Sequence, residues 1–501
     1  HAGSLHGRTA RPGPRSPAGV RYRLQPGDRT PPIAVLPLLD QLVVVRGAGA
    51  AGPFVQHLVL RGLAFEHSRA LTPLGGWVDT QAAVGIGAAI QVDHARHLVL
   101  EGCQIRATGG HAVWLREGVR DSTIAGCTMH DLGGGAVKIG LPSNRTGRGP
   151  AGDSSATGAN RVHHNRISRT GQQFPGAVAV WVGPSFDNEI AHNTISDTTY
   201  TAISVGWQWG YGAASSGSNR IVGNALLDIG GGMLADLGGI YTLGISPGTV
   251  IADNLIHEVR GYKNHGSGAW GIYNDEGSSD LRVENNVVIG TDSGGYHLHY
   301  GRNLVVQGNL LAWGDTAEVL VTRSDPSRTR LVLRDNLIVS NVPRPFSGYA
   351  QSPDAEFERN LVAAGRAGGA LDLKACGSGC SQSNAAVAFG NGPLDLKITG
   401  LPPEAARHWS AVAAKAGAGA AAHVPVASPQ RKAAPAESPA AQAPPLQATL
   451  DLANVAERER PPGWHYAPET PTEALQTVAD PSAPGERCLE INDSAVYARA
   501  Y

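Results

Sequence analysis

From Leu58 onward the chain repeats one short pattern: an apolar residue, two variable residues, a fixed position, one variable residue, and a second apolar residue. It reads LRGLAF, LEGCQI, IAGCTM, VHHNRI, IAHNTI, IVGNAL, IADNLI, VENNVV, VQGNLL, LRDNLI and FERNLV. The fixed positions are Leu63, Cys103, Cys127, Asn165, Asn193, Asn224, Asn254, Asn286, Asn309, Asn336 and Asn360. Their mean spacing is about 30 residues, and short β runs recurring at that period between Gly, Asn and Asp turns describe a parallel β-helix. Rungs of such a solenoid stack about 4.8 Å apart. Asparagines at one position therefore pass side-chain amide hydrogen bonds from coil to coil, which accounts for Asn at every fixed position from Asn165 to Asn360. Cys103 and Cys127 fall in the same column and read as buried thiols rather than metal ligands.

A second regularity lies between Gly231 and Asp280, in GGMLADLGGIYTLG and AWGIYNDEGSSD. Gly239 to Leu243 overlay Gly271 to Asp275, and the same short strand recurs as Ala202 to Gly206 and Gly295 to His299. Alternation along a strand sends Ile203, Ile240, Ile272 and Tyr296 inward, and Ser204, Tyr241, Tyr273 and His297 outward. Gly206, Leu243, Asp275 and His299 also face out, so Asp275 is expected on an outer surface rich in aromatic and histidine side chains.

The class is therefore all-β, with four expected segments: an irregular Arg, Pro and Gly-rich lead-in (1–54), the parallel β-helix (55–400), an extended Ala/Pro-rich linker (401–448) and the truncated start of an accessory β-sandwich module (449–501). The chain begins at His1 and is expected to be cut from a longer protein, with any signal peptide upstream. The 41 basic and 42 acidic residues give a net charge of -1, so nothing electrostatic calls for nucleic acid or an anionic membrane. No apolar run approaches the roughly 20 residues needed to span a bilayer. The 65 Gly and 2 Met favour turns over long helices, and the 5 scattered Cys exclude a disulfide-framework domain. Cys376 and Cys380 either close a small loop or remain two thiols. Asn144 to Thr146 fits a glycosylation acceptor, a pattern common by chance.

Coils are longer at mid-solenoid than toward the C-terminal end, which places wall-building loops beside the acidic residues. Cleavage of a glycosidic bond uses two carboxyl groups, one protonating the leaving oxygen and one acting as nucleophile or base. Asp236 and Asp275 come from consecutive coils, and Glu276 is a spare acid. In regular strands the two aspartates would sit roughly 23 Å apart, so a working pair requires the MLAD segment to fold back across the outer face. The competing reading is that Asp236 caps a turn and Asp275 bonds locally within NDEGSS. Asp275 has the like charge of Glu276 beside it, so it is expected to be the carboxyl of raised pKa and the acid. Trp207, Trp209, Tyr241, Tyr273, His297 and His299 are expected to bind substrate, ring faces stacking on sugar C–H surfaces. Burial under loops is the alternative for each. His297 and His299 share a strand face but lack a third ligand, so neither metal nor cofactor is expected.

Together the solenoid, DLGGIYTLG, GTVIADNLIH and GIYNDEGSSD resemble bacterial right-handed parallel β-helix glycoside hydrolases, most closely glycoside hydrolase family 141, over about residues 55 to 400. The resemblance implies a right-handed, pectin-lyase-like solenoid, secretion or display at the cell surface, and action on plant-type polysaccharide with fucosidase or xylanase character. It also implies that the catalytic acids are Asp236 and Asp275. A monomer with a carbohydrate substrate is expected, without nucleic acid or membrane insertion. Two rivals share the fold: a polysaccharide lyase, which needs a cationic base that the isolated Arg260, Lys263 and Arg302 do not obviously supply, and a non-catalytic carbohydrate-binding or adhesin β-helix.

Overall fold

The computed structural model describes residues 35–416, apart from 36, 50–51, 71, 73–75, 77–78, 80, 143–155, 264–267, 324–329, 349–354, 366–368 and 390–394, and the backbone of four short strands between 464 and 500. The chain divides into two compact units, residues 39–429 and residues 1–38 with 430–501. In the second unit Trp464–Tyr466 pairs antiparallel with Ala498–Ala500, and Leu475–Ala479 with Arg487–Ile491. The Asn144 to Thr146 acceptor, the lead-in before residue 35 and the Ala/Pro stretch beyond residue 416 lie outside the described residues.

The first unit is a parallel β-helix of three long sheets with 11, 11 and 12 strands. Its construction follows from a turn that costs one residue. The residue before each fixed position has a positive φ, whether it is Gly, as at Gly102 and Gly223, or His192, Asp253, Asn285 and Asp335. Small or locally hydrogen-bonding side chains tolerate that left-handed conformation. One such residue turns the chain from the second sheet into the third, and the next drops its side chain inside. Asn193 Nδ2 donates to Asn224 Oδ1 at 3.0 Å and to the Val162 carbonyl at 2.9 Å, and every ladder Asn from Asn165 to Asn336 repeats the scheme. Cys103 and Cys127 are buried free thiols in this column, the Cys103 amide pointing at Cys127 Sγ. Leu63, by contrast, is 44% exposed at the open end and takes no part in the ladder.

The sequence pattern missed a second ladder, at the turn from the first sheet into the second. Ser122, Asn160, Asn188, Asn219 and Thr249 each accept from the backbone amide of the coil before. Its mixture of Ser, Asn and Thr is why no single letter repeats.

Ile203, Ile240, Ile272 and Tyr296 are consecutive neighbours in the first sheet and fully buried in the core. Ser204, Tyr241, Tyr273 and His297 form the adjacent outward column, as alternation requires.

Cys376 is joined by a disulfide to Cys380, which opens the terminal strand of the third sheet, Cys380–Ser383, and an antiparallel hairpin of Ala386–Phe389 with Leu396–Thr399 follows. The stretch assigned to an extended linker from residue 401 instead opens with an α-helix, Pro403–Lys415. Its Trp409 and Val412 pack with Leu255, Val287, Leu310 and Leu337 on the outer face of the third sheet. An Ala-rich segment with two apolar residues one turn apart buries that stripe once an apolar sheet face is available, which the linker expectation overlooked.

Candidate functional site

Asp275 ends the first-sheet strand Ala269–Asn274, and its amide donates to the Thr242 carbonyl of the preceding coil at 3.0 Å. Asp236 immediately precedes Leu237–Leu243, the neighbouring strand, with φ of 60°. Strict alternation back from inward Ile240 would turn Asp236 into the core. A glycine bend reverses this. A methyl group added at Gly239 would lie 2.6 Å from Ile256 Cγ2, and one at Gly271 would lie 2.1 Å from Val288 Cγ1, so Gly239 faces the core as Ile240 does. Two successive inward residues shift the alternation by one: Leu237 is buried in the core and Asp236 faces outward. On the outward side Gly238 leaves room for Tyr273, whose Cβ would be only 3.2 Å from an added methyl. This is the fold-back that a working pair required.

The two carboxylates meet at one phenol. Tyr273 Oη lies 3.1 Å from Asp236 Oδ1 and 3.2 Å from Asp275 Oδ1, and donates its single proton to one or the other. The shared hydroxyl holds these two oxygens within about 6 Å of each other, not the 23 Å of a straight ladder. Asp275 is further bound by Tyr241, whose hydroxyl donates to Oδ2 at 2.5 Å, and by His299 Nδ1 at 2.8 Å from Oδ1. Tyr200 donates to the Asp236 backbone carbonyl at 2.7 Å, fixing the second acid from below.

Electrostatics correct the expected roles. Burial, the largest single influence on Asp275, pushes its carboxyl up, but the hydrogen bonds from His299 and Tyr241 outweigh it and hold the group below its ordinary value. Asp275 is the ionised carboxylate and not the acid expected from its neighbour Glu276. His299 is raised by the same bond, so the two form an ion pair. Burial and then the charges of Asp275 and Asp236 push the Tyr273 hydroxyl far up, and Tyr241 rises likewise, so both phenols remain donors. Glu276 is set apart from the pair: its Oε2 accepts from Tyr300 at 3.0 Å.

The aromatic residues differ from the expected open strip. Trp207, Tyr241, Tyr273 and His297 are buried, as is Trp181; of the six expected binders Trp209 is 37% exposed and His299 is half-buried. His297 stacks on Tyr273 at 4.3 Å and on Trp270 at 4.4 Å, and burial lowers its pKa to about 3, so it is a neutral packing wall with Nε2 bonded to Thr322. Sequence reasoning missed Tyr200, Trp270, Tyr300 and Arg323. Tyr300, raised to about 12 by burial and Glu276, packs against Tyr211, and the Arg323 guanidinium lies 4.8 Å from its ring centre. The adjacent pair His299-Tyr300 was a usable signal; Arg323 had none. Arg260 and Lys263 are both engaged with Asp292. Among the described residues no group of three or more His, Cys, Asp or Glu is arranged to hold a metal ion, and no helix is long and apolar enough to cross a membrane.

The family described as right handed beta helix region matches residues 88–362. No curated protein matches the sequence. Among solved structures, one titled glycoside hydrolase is similar at 23% identity over 56% of this chain and 51% of its own, with a TM-score of 0.47. The catalytic unit of a thermostable GH87 alpha-1,3-glucanase from Streptomyces thermodiastaticus strain HF3-3 is similar at 14% identity over 62% and 60%, TM-score 0.37. PfbA, a surface adhesin of Streptococcus pneumoniae, is similar at 12% identity over 72% and 82%, TM-score 0.38. The chain spans about half the length of the first of these and three fifths of the second. These likenesses concern the fold.

Proposed function

The chain belongs to the right-handed β-helix family, and on that scaffold we propose that it is a glycoside hydrolase whose catalytic pair is Asp236 and Asp275. The observation that carries the reading is the Tyr273 hydroxyl, 3.1 and 3.2 Å from a carboxylate oxygen of each. Two acids from consecutive coils within about 6 Å fit the narrow spacing of retaining enzymes better than the wider one that leaves room for a water. Asp275 supplies the nucleophilic carboxylate: it is ionised, oriented by Tyr241, Tyr273 and His299, and relieved of charge by the His299 imidazolium. Asp236, reached by solvent, donates the proton to the leaving oxygen, and Glu276 at the rim is the reserve donor. Trp209 offers the exposed stacking face.

A lyase would take its proton from beside a uronate carboxylate with a basic group. The phenols here are held protonated and Arg260 and Lys263 are paired with Asp292, which favours hydrolysis; Arg302 and Arg323 lie instead against the Tyr211 and Tyr300 rings. More narrowly, we assign the protein to glycoside hydrolase family 141, acting outside the cytoplasm as a monomer on plant-type polysaccharide with fucosidase or xylanase character.

The purified protein should release sugar in a screen of nitrophenyl glycosides and plant polysaccharides. Asp236→Asn and Asp275→Asn should each lower turnover by at least about a thousandfold, in the range of losing an essential group, with circular dichroism showing both variants folded at the assay temperature. Full activity in either variant removes that residue from the mechanism, and proton NMR of the first-formed anomer should show retention.

A further inference from the structure

The outward column holding Tyr241 and Tyr273 continues toward the N-terminal end as Ser204, Trp181, Lys138 and Trp114, each the register partner of the next. Two of these side chains carry a buried polar atom aimed at neither water nor a partner. Ser204 Oγ and Trp181 Nε1 are shut off from solvent, their residues each 1% exposed, and neither atom has a hydrogen-bond partner among the described residues. Leaving a buried polar atom unpaired is costly, and two on successive rungs beside a carboxylate pair call for an explanation. Their neighbours do not supply one. Trp207 sets its ring edge-on to Trp181, with centroids 5.4 Å apart, and Trp209 continues that stack outward at 5.1 Å to the surface.

The next rung ends the column. Lys138 is fully buried and spends its amine on the chain that crosses it, donating to the Val84 carbonyl at 2.6 Å and the Ile86 carbonyl at 2.7 Å, above the Trp114 ring. Residues 84–86 thereby roof the column at Lys138. Two rungs, about 10 Å, lie between this stop and the catalytic coil. That length suits one or two pyranose rings and no longer chain.

We propose that the Trp181 and Ser204 rungs form a blind sugar subsite that receives the end of a neutral glycan, so that the enzyme acts from chain ends. This deepens the hydrolase reading and rests on the same outward column. Ser204 Oγ and Trp181 Nε1 each take one sugar hydroxyl, and displacement of the Trp207 indole admits the ring. The Lys138 amine is committed to the Val84 and Ile86 carbonyls and is not free to hold an anionic substituent, which makes the occupant an uncharged sugar.

The test is binding and product analysis on the full chain. Xylo-oligosaccharides of two to six residues and a fucose-terminated oligosaccharide are titrated calorimetrically into the Asp275→Asn protein, alone and combined with Ser204→Ala or Trp181→Phe. Each added substitution should weaken binding about 3- to 10-fold, the share of one neutral hydrogen bond. Ser204→Ala should not lower the thermal midpoint, because its hydroxyl has no partner in the fold to lose. With active protein and end-labelled oligosaccharides, products should come from one chain end only. Unchanged affinity in both variants, no binding of either probe, or cleavage at internal bonds overturns the proposal. Ser204-dependent binding without turnover in any background would keep the subsite and defeat hydrolysis; turnover with Ser204-independent binding would do the reverse.

Discussion

At Asp275 burial and hydrogen bonding act in opposite directions, and the partners win. With its folded pKa held below the ordinary 3.8, Asp275 adds stability above that pH, which is lost as pH falls through the folded value. His299, held above the ordinary 6.5, adds stability below that pH, which is lost as pH rises through its own folded value. The ion pair therefore contributes most between the two. Replacing His299 by Gln removes the larger of the two hydrogen-bond supports and leaves burial less opposed, so the acid limb of the pH profile of kcat/KM should move upward; an unmoved limb would mean that His299 does not set the charge of Asp275. Glu318 is the reverse case. It is fully buried, Oε2 has no partner among the described residues, and burial pushes it up to about 8. Between its ordinary 4.5 and about 8 the folded chain keeps a proton that the unfolded chain has released, so stability falls as pH rises through that window. Glu318→Gln should flatten that fall, measured as the urea midpoint at pH 5 and pH 8.

Within a coil, what repeats in letters was legible and what bends the backbone was not. The ladder from Asn165 to Asn360 could be read because each Asn answers the same backbone demand: its side chain accepts from one coil's amide and donates to a carbonyl of the coil before. Asn224→Ala would strip the acceptor from the Asn193 amide and leave the Ile190 carbonyl without its donor. A loss of about 2–4 kcal/mol is expected for two buried groups left unpaired, seen as a lower urea midpoint. The two aspartates were legible as a pair from consecutive coils, but the geometry that brings them together was not, because alternation alone sends Asp236 inward and a straight strand keeps the two apart. The signal was the glycines of Gly-Ile-Tyr. Gly239, Gly271 and Gly295 each meet a core side chain of the third sheet, Ile256, Val288 and Leu311, so the strand bends there on three successive rungs. A second-order feature of this kind is visible only once the neighbouring sheet is in place. The buried aromatic wall was misread for the same reason, since outward from a sheet is not outward to solvent when the next loop covers it.

Across the whole solenoid every sheet has two faces, and the third sheet's outer face, polar in the first coils at Arg106, His130 and Arg166, is apolar over the later ones. Leu255, Val287, Ile289, Leu310, Ala312, Leu337 and Val339 alternate with inward Ile256, Val288, Leu311 and Ile338, and would otherwise be a greasy flank. The Pro403–Lys415 helix covers part of it with Trp409 and Val412, and Lys415 Nζ lies 2.7 Å from Asp253 Oδ2. With the lysine side chain largely in solvent the ion pair contributes little, so the cover depends mainly on the indole. Trp409→Ala should destabilise the solenoid by about 3–5 kcal/mol, the usual cost of emptying a buried aromatic site. It should also raise binding of a hydrophobic dye at temperatures below the main transition, since the flank is uncovered before the coils separate. The carboxylate pair lies on the first sheet, and sugar release by the variant should match the parent below that temperature. A loss of activity in step with dye binding would instead show that the helix and the first-sheet site move as one cooperative unit.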